Sequence, residues 1–416
     1  MKTVDLIIIG GGSAGLASAI SAYDNGINDI LLIERSHELG GILNQCIHNG
    51  FGLNYFKEEL TGPEYAYKFI EEFNKRNIKF LLNTLVSNIK DDLTVTYVNE
   101  DGATEVKAKA IICALGCNER TYGQIMIPGD RPNGVFTAGL AQKYINIDGF
   151  LVGKNVYILG SGDIGLIMAR RMSLEGANVI GVSELMPYSN GLNRNIVQCL
   201  NDFNIPLRLS NTVTKIIGKD NLEAIEIADV DEKFNIIEDT RKIIKCDALL
   251  LSVGLYPFIN LLKKINVKLY RNTKGVCINQ NYQTSIKGLF ITGNSLHVHD
   301  LVDEVSKESI KVGKCASNFI KNSENKVLKT INTTAGNNLV YLLPNFIDVD
   351  DNLSEVTFSF RINKIINKGT IVIRDNDKIL KKLNKMYMVP SEMITILLKD
   401  VDFKNIDSIR IDVVED

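Results

Sequence analysis

Apolar residues in the N-terminal segment form two short runs with a helix-like stretch between them. Leu6 to Ile9 make the first run, which leads into Gly10, and a stretch rich in Ala and Ser precedes the second run, Ile30 to Ile33. Short continuous apolar runs are typical of strands buried in a parallel sheet. The pattern therefore predicts a strand, a turn, a helix and a second strand, which is the repeating unit of doubly wound α/β folds.

Three glycines and one acid occupy the positions that a dinucleotide requires in such a unit. Gly10 permits the tight turn, Gly12 lets the backbone approach a pyrophosphate, and Gly15 lets the helix pack closely on the strand. Glu34 closes the second strand 24 residues after Gly10, near the spacing of an acid that accepts a hydrogen bond from a ribose 2′-OH. We therefore predict a dinucleotide site here, and include Arg35, which follows the acid.

The same pattern occurs a second time, beginning 150 residues later. A strand-like run from Asn155 leads into Gly160, Gly162 and Gly165, and Glu184 closes the next strand. Two complete copies in one chain predict two bound dinucleotides.

Other glycines follow strand-like segments, where a missing side chain allows a ligand close to the backbone. A glycine pair also follows the first acid. These candidate cofactor-binding positions are Gly40, Gly41, Gly116, Gly254, and Gly293 with its neighbour Asn294.

The rest of the chain divides into segments with different patterns of apolar and polar residues. A helix is predicted from about Gly62 to Arg76, and apolar residues at helical spacing from Leu301 to Phe319 predict an amphipathic helix. Residues 321–338 are polar and rich in turn formers, which indicates a linker. Beyond them, short alternating runs predict a small all-β domain over 338–416, interpreted as a docking or dimerisation module.

Composition excludes several classes of protein. The 416 residues suit two or three domains, and a net charge of −2 gives no reason to expect nucleic acid or an anionic membrane as a partner. No apolar stretch approaches a membrane span, and the N-terminal run is too short for a secretory signal, so we expect a cytoplasmic protein. The seven cysteines are irregularly spaced without a Cys-x-x-Cys pair, which argues against a disulfide framework or zinc site.

Three features are shared with one family: the two patterns of glycines and an acid, the strands that lead to Gly116 and Gly254, and the late segment GLFITGN. In them the chain resembles the two-dinucleotide-binding flavoproteins, the family of disulfide reductases and NADH oxidases. The resemblance implies an FAD domain over 1–118 and 247–330, with a late strand that returns to it, and an inserted NAD(P) domain over 119–246. It assigns FAD to the first glycine pattern and NAD(P)H to the second, where Glu184 predicts NADH in preference to NADPH because it would repel a 2′-phosphate.

Longer motifs, among them GGILNQCIHNGFGL and ILGSGDIGLIMARRMSLEGA, resemble a bacterial subgroup. Its members are similar to partners of FAD-dependent glycerol-3-phosphate dehydrogenase and to the larger subunit of opine and proline oxidases. That resemblance implies a second flavoprotein or iron–sulfur subunit as partner, and a homodimer is the alternative assembly.

Two features depart from the family pattern. Aligned on the glycine pair, Leu43 and His48 stand where disulfide reductases carry their redox cysteines, and Asn294 replaces an Asp that contacts the flavin. His48 is interpreted either as a proton-relaying group beside the flavin or as a satisfied polar contact, and Cys46 either as a catalytic thiol or as a buried one. These two are the candidate catalytic residues.

Four further residues, His297, His299, Asp300 and Asp303, make a weak metal candidate, and we expect no metal. The predicted reaction is hydride transfer between nicotinamide and flavin, with electrons exchanged with a partner dehydrogenase. Two alternatives are a self-contained NADH oxidase or peroxidase that uses Cys46, and a non-catalytic flavin-binding scaffold.

Overall fold

The computed structural model describes residues 2–322 and 326–415, which divide into two compact units. The first unit comprises Met1–Asn44, Asn49–Cys117 and Tyr256–Asp416, and the second comprises Gln45–His48 and Asn118–Leu255. The α-helices are α1 (Ser13–Asp24), α2 (Gly62–Lys75), α3 (Ala138–Asn146), α4 (Asp163–Leu174), α5 (Asn193–Cys199) and α6 (Val302–Lys321). Short 3-10 helices occupy Gly41–Gln45, Asn201–Phe203, Glu238–Thr240, Leu262–Lys264, Gly293–Ser295 and Phe403–Asn405. Across the described ranges, no helix is both long enough and apolar enough to cross a membrane.

A mostly parallel sheet forms the centre of the first unit. Its strands run in the order Lys79–Leu81, Ile30–Ile33, Lys2–Ile9, Gly102–Cys113, Thr94–Asn99 and Leu85–Ile89. Lys2–Ile9 is parallel to Ile30–Ile33 on one side and to Gly102–Cys113 on the other, which confirms the predicted strand, helix and strand unit. Leu289–Ile291 pairs with the end of Gly102–Cys113, so the late strand returns to this sheet as expected.

Helices of the first unit pack through small residues and defined caps. Ser21 of α1 donates its hydroxyl to the Ile310 carbonyl of α6 over 2.7 Å, because the Ala and Ser side chains of α1 let the two backbones approach. Thr61 and Glu64 form a reciprocal capping box at the start of α2. The predicted helices near 62–76 and 301–319 are both confirmed.

The second unit has its own five-stranded parallel sheet. Its strands run in the order Val135–Thr137, Ala248–Leu251, Asn155–Leu159, Asn178–Ser183 and Leu207–Arg208. A three-stranded antiparallel sheet follows, made of Asn211–Ile217, Ala224–Asp229 and Lys242–Lys245. Residues 248–251 pair inside the five-stranded sheet, so the predicted boundary at 247 comes too early and this unit continues to Leu255.

The C-terminal residues form two further sheets within the first unit. One has the order Phe346–Val349, Lys329–Ala335, Ser408–Glu415, Ile366–Asp375 and Lys378–Met388, and the other has the order Leu339–Leu343, Glu355–Ile362 and Ile394–Lys399. Their apolar faces share one core that includes Phe358, Phe360 and Ile411.

The predicted linker over 321–338 is too long, because Lys329–Ala335 is a strand; residues 323–325 lie outside the described part. Tyr341 and Leu343 join the core beneath the first sheet, so the β domain packs on the neighbouring part of its own unit. Short strands at Asn49–Phe51, Leu60–Thr61, Cys117–Glu119, Leu255–Pro257, Leu269–Tyr270 and Gly275–Val276 complete the described elements.

Candidate functional site

The first glycine turn and Glu34 form one hydrogen-bonded group. A side chain at Gly15 would collide with the carbonyl of Gly10, so only glycine lets α1 start this close to the strand. The buried Glu34 carboxylate accepts the backbone N–H of Gly11 over 2.6 Å and that of Ser36 over 2.8 Å. A carboxylate has about four lone-pair positions, so both oxygens retain capacity for ligand hydroxyls.

The N-terminus of α1 is open to an anion. Gly12 is the N-cap residue, no side chain caps the helix, and its first turn carries no acidic residue. A Cβ built on Gly12 would come within 3.8 Å of the Gly41 backbone, so the glycine pair lies against this side of the turn. Unpaired N–H groups and the helix dipole favour a phosphate at such a position. These features fit the pyrophosphate and ribose of a dinucleotide.

Glu184 repeats this arrangement in the second unit. Its carboxylate is buried and accepts the Ser161 N–H over 2.9 Å, the Ser161 hydroxyl over 2.7 Å and the Met186 N–H over 2.9 Å. The turn holds Gly160, Gly162 as N-cap of α4, and Gly165, whose N–H donates to the Ser252 hydroxyl over 3.1 Å. The second turn therefore repeats the acid and the glycine positions of the first.

One feature separates the two turns. The first turn of α4 carries Asp163, whose Oδ1 accepts the Leu192 N–H over 2.8 Å and the Asn195 side-chain amide over 2.7 Å. The carboxylate is favoured there by the helix dipole, and it ties the loop that precedes α5 to the second glycine turn.

The other predicted cofactor positions of the first unit lie around the first turn or beside it. Gly40 bridges to Gly12, and a side chain at Gly41 would press on the Gly12 backbone. A Cβ on Gly116 would meet nothing within 4 Å, whereas one on Gly293 would meet the Ala14 side chain of α1 at 2.9 Å. Of these glycines, only Gly116 faces open space, whereas the others are needed for close packing within the protein, so their roles in cofactor binding stay predictions.

Asn294, Arg35 and Gly254 have other surroundings. The Asn294 side chain accepts the His299 N–H over 3.0 Å and donates to the Cys117 sulfur over 3.7 Å, so it already bonds within the protein. Arg35 is exposed, and Gly254 belongs to the second unit, where its carbonyl accepts the Arg120 N–H. Their roles in binding stay predictions.

Cys46 and His48 both group with the second unit. The Cys46 thiol donates to the Gln142 side-chain oxygen over 3.6 Å, and burial raises its pKa to about 12. Burial, reinforced by Arg194, lowers the pKa of His48. A thiol with so high a pKa is a poor nucleophile at neutral pH, because the thiolate is the reactive form.

A buried cluster near the start of α6 joins two histidines of the metal candidate to Glu308, an acid that the sequence did not predict. His297 and His299 both direct Nε2 at Oε2 of Glu308, over 3.0 and 3.3 Å. Burial opposes a charge on His299, but the Glu308 carboxylate outweighs that effect and raises the pKa of the imidazole. The two aspartates expected with the histidines are elsewhere: Asp300 pairs with Arg361, and Asp303 accepts backbone N–H groups of residues 52–55.

A signal for Glu308 existed in the sequence. It lies three residues after Val305 and four before Val312, which both belong to the buried face of α6. An acid at that position must find a buried partner.

Comparison with known proteins decides the family. The profile of the pyridine nucleotide-disulphide oxidoreductases matches residues 4–316. The chain belongs to this family. It is therefore a flavoprotein oxidoreductase that uses FAD and a nicotinamide dinucleotide, on two Rossmann-like domains with an added C-terminal β domain.

Individual relatives are distant. An NADH oxidase of Methanocaldococcus jannaschii is 25% identical over 353 residues, which cover 79% of this chain and 72% of that protein. An NAD(P)H coenzyme A polysulfide/persulfide reductase of Pyrococcus horikoshii is 25% identical over 303 residues, 70% of this chain and 62% of that protein. The chain spans about half the length of several other curated relatives that it matches. The thioredoxin reductase of T. acidophilum shares the fold with a TM-score of 0.61 and 21% identity, covering 76% of this chain and 99% of that one.

Proposed function

We propose that this enzyme transfers hydride between NAD(H) and FAD and works as one subunit, exchanging electrons with a partner dehydrogenase of the glycerol-3-phosphate dehydrogenase type. The proposal rests on one combination of features. The chain has two equivalent glycine turns, each with a buried acid, but it has no cysteine pair at the positions where the family carries one. Leu43 and His48 occupy those positions. All seven cysteines lie in the described ranges, and none of them forms a disulfide there.

The two turns supply binding and orientation. Gly10, Gly12, Gly15 and Glu34 would hold FAD, and the second turn with Glu184 would hold the nicotinamide dinucleotide. The bound flavin and nicotinamide supply the hydride-transfer chemistry. Hydride transfer requires orientation more than an acid or base, so rigid turns are the main contribution of the protein.

A preference for NADH follows from Glu184. Its carboxylate would accept hydrogen bonds from a ribose 2′-OH, whereas it would repel a 2′-phosphate. Glu184→Ala should therefore reduce the ratio of kcat/KM for NADH to that for NADPH. Equal values for the two nucleotides in the wild type would contradict this part of the proposal.

The cysteines indicate how electrons leave the flavin. A disulfide reductase passes electrons from flavin to a cysteine pair, and here only Cys46 lies in the corresponding segment. Its pKa of about 12, raised by burial, leaves almost no thiolate at neutral pH. Electrons then leave the flavin directly, for which a docked redox partner is the proposed acceptor or donor.

A self-contained NADH oxidase is the second candidate, favoured by the name of the Methanocaldococcus jannaschii relative. It predicts that the purified chain alone consumes NADH with oxygen or peroxide at an ordinary enzymatic rate. A peroxidase form would also need Cys46 as a sulfenic acid, and Cys46→Ser would abolish it. The flavin scaffold is separated from both enzymes by stopped-flow mixing with NADH, since only an enzyme bleaches its flavin quickly.

The partner is tested by purifying the tagged chain from its native host. We expect a second flavoprotein or iron–sulfur subunit to co-elute at a fixed ratio, and dye reduction without significant oxygen reduction by the chain alone. The double variant Met386→Glu, Tyr387→Glu changes two exposed apolar residues at the end of the strand Lys378–Met388. Phe150→Glu is the matched control, because Phe150 is equally exposed but belongs to the second unit.

If the β domain docks the partner, only the double variant loses co-elution while it keeps its FAD and its dye reduction. A chain that elutes alone, and turns over oxygen at a normal rate, would contradict the subunit proposal.

A further inference from the structure

We propose that His297, His299 and Glu308 bind a divalent metal ion of the zinc class. The three residues offer two imidazole nitrogens and one carboxylate oxygen, all within 4.8 Å of one another. Two imidazoles and one carboxylate are a ligand set that zinc accepts in sites with three protein ligands. This metal site does not depend on the identity of the electron partner.

The distances suit a tetrahedral ion. Zinc lies about 2.0–2.2 Å from nitrogen and oxygen ligands, so neighbouring ligand atoms in a tetrahedron are about 3.3–3.6 Å apart. Nε2 of His297 and Nε2 of His299 lie 3.0 and 3.3 Å from Oε2 of Glu308. Two of the three separations are therefore close to those of a tetrahedral site, and all the ligand atoms lie within 4.8 Å of one another.

A second set of hydrogen bonds orients each ligand. The Tyr341 hydroxyl lies 3.0 Å from Nδ1 of His297, and Nδ1 of His299 lies 3.1 Å from the His297 carbonyl oxygen. The other oxygen of Glu308 accepts the Gly293 N–H over 2.8 Å. Metal-binding histidines almost always use their second nitrogen in this way.

These bonds also fix the tautomer of His299. A carbonyl oxygen only accepts, so Nδ1 of His299 carries a proton. In the neutral ring, Nε2 then directs a lone pair at the Glu308 carboxylate. Two lone pairs facing each other over 3.3 Å repel, and a cation between them removes the repulsion. Either a metal ion or an additional proton is therefore required at this point.

A cavity adjoins the cluster and leaves room for an ion to enter. His299 and Glu308 line a cavity of about 370 Å³, which offers an entry path and a fourth coordination position for water or a small anion. Acidic Glu304 and basic Lys307 and Lys311 also line it, so the rim carries both signs of charge. Arg361, a cation beside the cluster, is paired with Asp300.

The first test is the metal content of the holoenzyme after chelator dialysis and reloading with zinc, measured by mass spectrometry and equilibrium dialysis. We expect about one zinc ion per chain, with affinity reduced more than tenfold in His299→Ala and Glu308→Gln. His37→Ala is the control, since His37 is exposed and lies far along the chain from the cluster. Tyr341→Phe keeps all three ligands but should weaken zinc binding about tenfold by releasing His297.

A second measurement uses only the wild-type protein, so it applies even if the variants fail to fold. Chelator should lower the Tm of the wild-type holoenzyme, and zinc should restore it, because the metal binds the folded state. Wild-type protein that takes up no zinc and shows no change of Tm would overturn the proposal and leave a protonated His299 paired with Glu308. Unchanged zinc affinity in Glu308→Gln would overturn it as well.

Discussion

Glu34 and Glu184 provide an internal matched pair for testing the two cofactor sites. Each carboxylate is buried and accepts two backbone N–H groups. Glu34 accepts those of Gly11 and Ser36, and Glu184 accepts those of Ser161 and Met186. We expect Glu34→Gln to weaken FAD binding and leave NADH binding nearly unchanged. Glu184→Gln should do the reverse.

The magnitude follows from the bonds that change. A hydrogen bond to a charged group contributes about 1.5–3 kcal/mol. Each substitution replaces one carboxylate oxygen by an amide that donates, so a ribose hydroxyl loses one such bond. About 1.4 kcal/mol corresponds to a factor of ten, so the dissociation constant should rise about 10- to 100-fold.

Two assays measure the pair. Flavin fluorescence during titration of the apoprotein gives FAD affinity, and stopped-flow reduction at increasing NADH gives nicotinamide affinity. Circular dichroism must show that each variant is folded, because the acids also order their turns. If both variants lose FAD equally, or if Glu34→Gln loses only NADH affinity, the assignment of the turns is wrong.

Three further predictions concern single residues. Cys46, with a pKa near 12, should react slowly with iodoacetamide at pH 8 in the folded holoenzyme and rapidly after denaturation, and Cys46→Ser should keep most NADH-driven dye reduction. Asp303→Ala leaves the N–H groups of Gly52, Asn54 and Tyr55 without their acceptor, so urea titration should show about 2–4 kcal/mol less stability; an unchanged midpoint would refute this. Burial lowers the pKa of His48, so the unfolded chain binds more protons than the folded one. The free energy of unfolding of the wild type should therefore fall, relative to that of His48→Asn, as the pH drops below about 6.5. Parallel curves of stability against pH for the two proteins would contradict this prediction.

Local patterns in the sequence were sufficient for much of the fold. The glycine turns, their acids and the amphipathic helix α6 are contiguous signals, because one strand, turn and helix determine each of them. The sheet to which a strand belongs cannot be predicted from a local pattern. The apolar runs at Ala110–Leu115 and Ala248–Val253 look alike in sequence, and only tertiary pairing places the second one in the sheet of the second unit.

The polar strand Lys329–Ala335 shows why the predicted linker is too long. Exposure alternates along the strand, but Ile331 is its only buried residue and most of its other residues are polar, so the sequence resembles a loop. Its neighbours Phe346–Val349 and Ser408–Glu415 are remote in sequence and supply the pairing that makes it a strand.

Clusters assembled from separate elements were the least predictable part of the site. Glu308 meets the two histidines because α6 turns its buried face toward the segment that precedes it, and Tyr341 arrives from the β domain. Asp300 and Asp303 are closer in sequence but bond elsewhere. Sequence proximity was therefore a poor guide to which acid the histidines contact.

Anaerobic titration of the purified holoenzyme with NADH tests the central claim, that electrons leave the flavin without a thiol relay. A bound FAD accepts one electron pair, whereas a flavin coupled to a redox disulfide accepts two. We predict complete bleaching of the flavin at about one equivalent of NADH per FAD, with the same end point in Cys46→Ser. An end point near two equivalents, reduced to one by Cys46→Ser, would show a redox-active thiol and contradict the account.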